Sequence, residues 1–308
     1  MILITGGAGF IGFHTVELLL AQGNKVRVLD NLSSGKLSNL PDNHPNLELM
    51  QADIRDYAVV VEAMQGVSAV LHLAAQVSVP RSIDNPLESL EINTQGFVNV
   101  LEAIRRTDSK IHLAYASSAA IYGNVKKLPC SDEFELPIET NSFYALEKAN
   151  KERYAALYNK LFNISSIGLR YFNVFGPKQD PSSQYSGVIS KFMTAAVECQ
   201  PINIYGDGEQ SRDFIYVGDV AQANMLALKS DKHGVCNIAT GSATTLNQLV
   251  SSIEKITDNK LNCVYFDERP GDIKHSLASV KYAAELLNFS AKTVFEEGLS
   301  DYFQSLSS

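Results

Sequence analysis

Apolar residues in this chain fall in short runs, separated by longer stretches in which they recur every three or four positions. Met1-Ile2-Leu3-Ile4-Thr5 is a β-rich run that ends directly in glycines. The segment after it carries apolar residues at Ile11, Val16, Leu18, Leu19 and Leu20 before Gln22-Gly23-Asn24 stops it. The alternation repeats, with strands expected at 25–30, 47–50, 69–73, 110–115 and 165–170 and helices near 56–65, 87–106 and 143–162. Strands apolar on both faces predict an α/β fold with a doubly wound parallel sheet covered on both sides. Such a sheet binds ligands beyond the carboxyl ends of its strands. After about residue 175 the pattern loosens, and Pro177, Pro181, Pro201, Gly206, Gly208, Pro270 and Gly271 punctuate shorter elements. We therefore expect a first domain over 1–175, with later segments returning to it, and a smaller α/β substrate lobe over 176–308.

Composition narrows the partners. The 308 residues are 45% hydrophobic and 19% charged, which is globular and excludes wholesale disorder. A formal charge of −8 argues against a large phosphate-backbone interface, so no nucleic acid is expected and a small-molecule partner is. The four cysteines (Cys130, Cys199, Cys236, Cys263) are spaced too widely for a metal ribbon, and no metal site is expected. The stretch from Phe10 to Leu20 is interrupted by His14 and Glu17 and has no basic segment before it, so it does not read as a secretory signal. No run approaches the roughly 18 apolar residues of a membrane span. A cytoplasmic protein without membrane contact is the expectation.

Gly6-Gly7-Ala8-Gly9-Phe10-Ile11-Gly12 spaces glycines by three between a strand and a helix. Lacking Cβ atoms, they let the backbone turn tightly and approach a pyrophosphate, which the helix N-terminus then receives on free N–H groups. Asp30 ends the next strand at the distance expected of a ribose-binding acid, and the context reads as a Rossmann-like dinucleotide site. A carboxylate there accepts ribose hydroxyls and repels a 2′-phosphate, which favours NAD over NADP. Asp53-Ile54 follows the third strand and either meets the adenine edge or is a plain loop segment.

Tyr144 and Lys148 lie at i,i+4 at the start of a predicted helix, capped by Ser142 or Asn141. A free phenol titrates near 10, and lowering it by about three units needs roughly 4 kcal/mol. One cation about 4 Å away at an effective dielectric near 20 supplies about that much. The pair can therefore make a general base, with Ser117-Ser118 at the end of the preceding strand projecting toward it.

With these residues in place, the chain resembles the extended short-chain dehydrogenase/reductase superfamily, in its nucleotide-sugar epimerase and dehydratase branch. The motifs are the glycine loop, Asp30, His72-Leu73-Ala74-Ala75, Ser117-Ser118, Tyr144 with Lys148, the run from Arg170 to Pro177, and Arg269-Pro270-Gly271-Asp272. The resemblance implies tightly bound NAD held by Gly6, Gly9, Phe10, Ile11, Gly12, Asp30, Asn31, Ser33, Gly35, Asp53, Ile54, Leu73, Ala74 and Ala75, with Tyr144 and Lys148 at its nicotinamide end. It implies Tyr144 as base, Lys148 as its tuning partner and Ser118 as donor to the reacting oxygen. It implies a nucleotide-sugar site of Ser118, Tyr144, Asn173, Gln179, Tyr205, Arg212, Arg269, Asp272 and Ser276. A guanidinium fork suits phosphate oxygens, which fits Arg212 and Arg269 as a diphosphate clamp.

Within the branch, dehydratases place an acid pair after the serine; here Ala119 and Ala120 stand there and carry no proton. Reversible oxidation at sugar C4 is left as the simplest chemistry. The position four past Asp272 is Ser276, where the resemblance implies that a Tyr would exclude an acetamido group. Interconversion of UDP-N-acetylglucosamine and UDP-N-acetylgalactosamine is the expectation. The UDP-glucose/UDP-galactose pair is the alternative, followed by a UDP-uronic acid (with Arg81 as the cation near C6) and a non-catalytic NAD-binding scaffold. The helices at 87–106 and 143–162 carry apolar stripes (Val98, Leu101, Ile104; Tyr154, Leu157, Leu161). The stripes read as core packing or, as the resemblance implies, as the four-helix interface of a homodimer.

Overall fold

A computed structural model of the chain describes residues 1–107, 110–123, 127–133, 140, 142–180, 187–268 and 273–306. The first half runs β1 (Ile2–Thr5), α1 (Phe10–Ala21), β2 (Val26–Asp30), β3 (Leu47–Gln51), α2 (Tyr57–Ala63), β4 (Ala69–His72), α3 (Val79–Asp84), α4 (Pro86–Leu90) and α5 (Gly96–Arg105). It continues through β5 (His112–Ser118), α6 (Phe143–Phe162) and β6 (Ser166–Tyr171). The second half comprises β7 (Asn173–Phe175), α7 (Val188–Val197), β8 (Ile202–Tyr205), β9 (Ser211–Arg212), β10 (Phe214–Tyr216) and α8 (Val217–Lys229). It closes with β11 (Gly234–Ile238), β12 (Thr244–Thr245), α9 (Leu246–Thr257), β13 (Cys263–Phe266), α10 (Lys281–Leu287) and α11 (Phe295–Leu306).

Seven strands form one parallel sheet in the order β11-β6-β5-β4-β1-β2-β3. Adjacent residues explain its two covered faces. Ile4 packs with Val16, Leu19, Val220 and Leu286 under α1, α8 and α10, while Leu3 packs with Val60, Phe97 and Leu101 under α2 and α5. From β1 the chain winds to β2 and β3 on one side, then crosses to β4 on the other. The carboxyl ends of β1 and β4, where Thr5 pairs with His72, therefore flank the crevice at which the strand order reverses.

The span 176–308 is divided. β11 pairs with β6 at the edge of the large sheet, and α8 and α10 cover it. The other late elements enclose a second core around Met193, Ile204, Phe214, Leu249 and Tyr302. Its strands pair in twos: β7 with β10, β8 with β13 and β9 with β12. The 87–106 helix is also divided: Glu91–Gln95 widens to a π turn between α4 and α5. That turn seats the buried Asn93 amide against the Gln76 carbonyl (2.9 Å) and the Glu147 carboxylate (2.6 Å).

Candidate active site

The glycine loop forms a cradle that side chains would fill. A Cβ on Gly12 would lie 2.2 Å from the Gly6 carbonyl oxygen, and one on Gly6, at φ +73°, would lie 2.7 Å from the Ala74 nitrogen. Gly9 differs: it is the N-cap of α1, and its Cβ position meets only the Gly6 oxygen, at 3.4 Å. No side chain caps α1, so the N–H groups of its first turn, at Phe10, Ile11 and Gly12, remain for an anion. Asp30 is 8% exposed and takes the backbone N–H groups of Ala8 (3.0 Å) and Leu32 (2.8 Å), one on each oxygen. Each oxygen keeps a second lone pair for a ribose hydroxyl. Gly35 lets the following loop come down on Ala8, where a Cβ would lie 2.9 Å from its backbone carbon. These features fit a dinucleotide bound at the β1–β4 crevice.

Other expected coenzyme residues have defined places. The Asn31 amide donates to Asp53 and accepts from Ser33 N–H (2.9 and 3.0 Å). Asp53 is gripped by Arg55, which with Asn31 holds its carboxyl down at about 2. Its side chain is thus engaged within the loop. Ile54 is buried against Gly96, and Leu73, Ala74 and Ala75 continue β4 past His72, with the Leu73 and Ala74 N–H groups on the Thr5 carbonyl.

Ser142 caps α6 by accepting from the Ala145 N–H, which starts the helix one residue before Tyr144. The Tyr144 N–H donates to Ser82 Oγ of α3 (3.2 Å), and the Ser118 hydroxyl lies close enough to its phenol to pull on its proton. Lys148, 2% exposed, donates to the Ala116 carbonyl at 3.2 Å and lies 5.5 Å from the centre of the Tyr144 ring. Burial pushes the phenol up, against the pull of the Ser118 bond, and the Glu147 carboxylate adds to the rise. Burial also pushes Lys148 down to about 8, with Glu147 opposing. The ammonium is tethered to a strand carbonyl and lies over the ring, while burial works against acidification of the phenol. A further positive charge, such as an oxidised nicotinamide, is needed to complete the acidification.

The neighbouring framework is polar, buried and beyond what spacing reveals. Arg170 on β6 and Glu152 on α6 form a two-bond ion pair (3.0 and 2.8 Å) at 5% and 7% exposure. Ser117 donates to the same carboxylate and Tyr122 accepts from the guanidinium. The group fixes the end of β5, and with it Ser118, against α6. Ser82, which holds the Tyr144 N–H, carries no signal in the sequence. Lys151 does: it repeats lysine three positions after Lys148, on the helix face that also carries Glu147.

Of the remaining expected sugar-nucleotide residues, Asn173, Tyr205 and Arg212 lie on the paired strands of the second core and Gln179 and Ser276 on neighbouring loops. Asn173 begins β7 and donates to the Asp213 carbonyl (3.1 Å). Gln179 donates to the Val174 carbonyl (3.2 Å), and its buried Oε1 has no hydrogen-bond partner. Tyr205 ends β8, stacked on Phe266 at 5.4 Å. Arg212 lies on β9 with hydrogen bonds to the carbonyls of Ser211 and Lys274, and the Ser276 N–H donates to the Ser211 carbonyl, so Ser276 runs beside Arg212. Arg269 and Asp272, like Asn141, lie outside the described residues. Among the described residues no His, Cys, Asp and Glu cluster suits a metal, and no helix is long and apolar enough to cross a membrane.

A glycine cradle for a dinucleotide, beside a hydroxyl-paired phenol and a buried lysine, defines an enzyme of the short-chain dehydrogenase/reductase type. A model of the NAD dependent epimerase/dehydratase family matches residues 2–239, and the chain belongs to that family. It is 39% identical over 300 residues to a putative UDP-glucose 4-epimerase of Methanocaldococcus jannaschii, covering 97% of this chain and 96% of the relative. The UDP-N-acetylglucosamine 4-epimerase of Methanobrevibacter ruminantium, solved with UDP-N-acetylmuramic acid, is similar at TM-score 0.95 and 39% identity over 99% of this chain and 97% of that one. The UDP-glucose 4-epimerase of Thermus thermophilus, solved with NAD, gives 0.89 at 35% identity over 99% and 98%. The fold, the enzyme class and the NAD dependence are those the sequence resemblance implies.

Proposed function

We propose that the chain is a UDP-sugar 4-epimerase that retains NAD tightly and prefers the UDP-N-acetylglucosamine/UDP-N-acetylgalactosamine pair. The observation that carries this is the Tyr144–Ser118 hydroxyl pair at the carboxyl end of β5, with Lys148 beneath the ring. Tyr144 takes the proton of the sugar 4-hydroxyl while Ser118 holds the same oxygen. Lys148 keeps positive charge next to the phenol as the proton moves. A nicotinamide coenzyme held by the glycine cradle and Asp30 would supply the hydride chemistry at C4. The 4-keto sugar then turns about its diphosphate linkage, and Tyr144 gives the proton back to the opposite alcohol. Arg212, with Arg269, holds the diphosphate during the turn, and the partnerless Gln179 Oε1 offers an acceptor to a sugar donor.

Small Ser276 and the likeness to a UDP-N-acetylglucosamine 4-epimerase support the acetylated pair. The UDP-glucose/UDP-galactose pair is the second reading, supported by relatives of that name. Arg81, the cation of the uronic-acid reading, makes two bonds to Glu88 (3.1 and 2.7 Å), which weighs against that reading, while a relative named UDP-glucuronate 4-epimerase weighs for it. A homodimer completes the proposal. Ile83, Leu87 and Leu90 on α3 and α4, and Leu157 and Leu161 on α6, are 48–77% exposed, an apolar surface that a second copy would cover.

The test is to incubate the purified protein with each UDP-sugar and follow the anomeric proton signals. Conversion of the acetylated pair without accumulation of free NADH is expected. Stoichiometric NADH release, or no conversion of any UDP-hexose, would overturn the assignment.

A further inference from the structure

Lys151 lies one turn along α6 from Lys148, is 1% exposed, and among the described residues has no carboxylate within bonding distance. Its Nζ is 3.2 Å from His72 Nε2 and 5.4 Å from the centre of the Phe97 ring. His72 Nδ1 is in turn 2.9 Å from Thr5 Oγ1, and the Ala74 N–H reaches both the Thr5 carbonyl (3.0 Å) and its hydroxyl (3.3 Å). The backbone N–H fixes one end of this chain as a donor. A Thr5 hydroxyl that accepts there can give its own proton to Nδ1, an arrangement that would put the imidazole proton on Nε2 and leave the Lys151 lone pair to accept it. The described carboxylate that acts on both lysines, Glu147, is occupied by Ser89 (2.8 Å) and Asn93 (2.6 Å).

We propose that Lys151 is carried as an uncharged amine, and that its neutrality makes the site prefer the oxidised, cationic nicotinamide over the reduced, neutral one. The inference rests on reading the crevice as the coenzyme site, and Lys151 acts in it as a positioning residue. Two buried ammoniums would favour loss of the nicotinamide's charge and so hold the coenzyme reduced, whereas the reaction must start from the oxidised form. Burial drives both Lys151 and His72 well below their ordinary ranges; a charge on Lys151 would add to the fall at His72, the Lys148 charge adds to both, and Glu147 opposes at Lys151. The groups facing Lys151 are Lys148 and Glu147 on its own helix, His72 on β4, and the phenol of Tyr115 on β5 across Phe97. The charges on the other elements packed against α6 are engaged elsewhere: Arg81 with Glu88, Glu91 with Arg55, Glu102 with Arg105, and Arg170 with Glu152.

The test incubates the full chain with equimolar NAD and NADH to exchange equilibrium at pH 8 and measures the ratio bound, for wild type, Lys151→Met and Lys151→Arg. The Met variant is expected within twofold of wild type, and the Arg variant, with its permanent charge, shifted at least tenfold toward NADH. A tenfold shift of Lys151→Met toward NAD would show that wild-type Lys151 is charged, and a Lys151→Arg ratio equal to wild type would show that charge there does not reach the ring. Either result overturns the proposal. If Lys151→Arg fails to fold, lowering the pH to 5 decides. A wild-type ratio climbing toward NADH by up to tenfold per pH unit, with Lys151→Met flat, supports it, and parallel curves overturn it. Retention of neither nucleotide would instead remove the coenzyme reading itself.

Discussion

Lys148 and Tyr144 are one helical turn apart, yet the ammonium is held 5.5 Å from the centre of the phenol ring and bonded to the Ala116 carbonyl, leaving the hydroxyl to Ser118. The lysine titrates at about 8 in the fold against an ordinary 10.5. Raising the pH through about 8 therefore removes the charge on which Tyr144 depends, and turnover should fall along a one-proton limb. Lys148→Arg should move that limb out of range, and Lys148→Met should lower kcat by about 10²-fold or more. Stability runs the other way. Between about 8 and 10.5 the unfolded chain holds a proton that the folded chain has released, so stability rises with pH there, and the whole penalty is present below about 8. Lys148→Met should consequently melt above wild type at pH 7, with the gap closing toward pH 10.5. Anomeric-proton kinetics and thermal melts across pH check both limbs.

Gly12 packs α1 onto the loop so closely that a methyl group would overlap the Gly6 carbonyl. Gly12→Ala must push the helix away from the cradle, at a cost of about 1–3 kcal/mol by analogy with overpacked cores. The variant should also purify with little NAD. Denaturant unfolding and the nucleotide content of an acid extract would show both effects.

What the sequence reveals of this site is what local periodicity carries. The glycine spacing, Asp30 and the Tyr144–Lys148 interval are properties of one loop, one strand end and one helix face, and each lies in its expected element. The Glu152–Arg170 pair joins a helix to a strand that the sheet alone brings together. Nor does spacing show that Lys148 is tethered to a β5 carbonyl, because that depends on how deep α6 settles. Past residue 175 the short elements hide which strands return: β11 joins the large sheet because the β6 edge needs a partner, a requirement invisible in Gly234–Ile238 itself.

That buried pair sets up a test of the framework. Removing one partner strands a charge at under 10% exposure, so Arg170→Met or Glu152→Gln alone should cost about 3–5 kcal/mol. The double replacement should cost less than the sum of the two, because no unpaired charge remains. Urea midpoints of the three variants measure this directly.

Ser276 follows His275, whose ring is 3.0 Å from Ser211 Oγ, and its own N–H is bonded to the Ser211 carbonyl, so its backbone is fixed next to Arg212. On the proposed reading, enlarging it to Tyr would overfill the space for a C2 acetamido group, at about 1–3 kcal/mol. Ser276→Tyr should lower kcat/KM on the acetylated pair roughly 5- to 150-fold while sparing the plain hexoses. Equal losses on both pairs would remove Ser276 from substrate choice.

Ile83, Leu87 and Leu90 on α3 and α4, beside the start of the Tyr144 helix, are 53%, 77% and 52% exposed, and Leu161 near the far end of that helix is 59% exposed. An apolar surface of this kind is costly to leave wet, since burying each such side chain contributes about 1.5–3 kcal/mol. Covering it with the same face of a second copy is self-complementary about a two-fold axis. Leu87→Asp with Leu161→Asp should therefore convert a dimer to a monomer in sedimentation velocity. Because α3 supplies Ser82 to the Tyr144 N–H, the monomer should also lose kcat more than it loses UDP-sugar affinity. A wild-type protein sedimenting as a monomer, or a dimer indifferent to both substitutions, would place the association surface elsewhere.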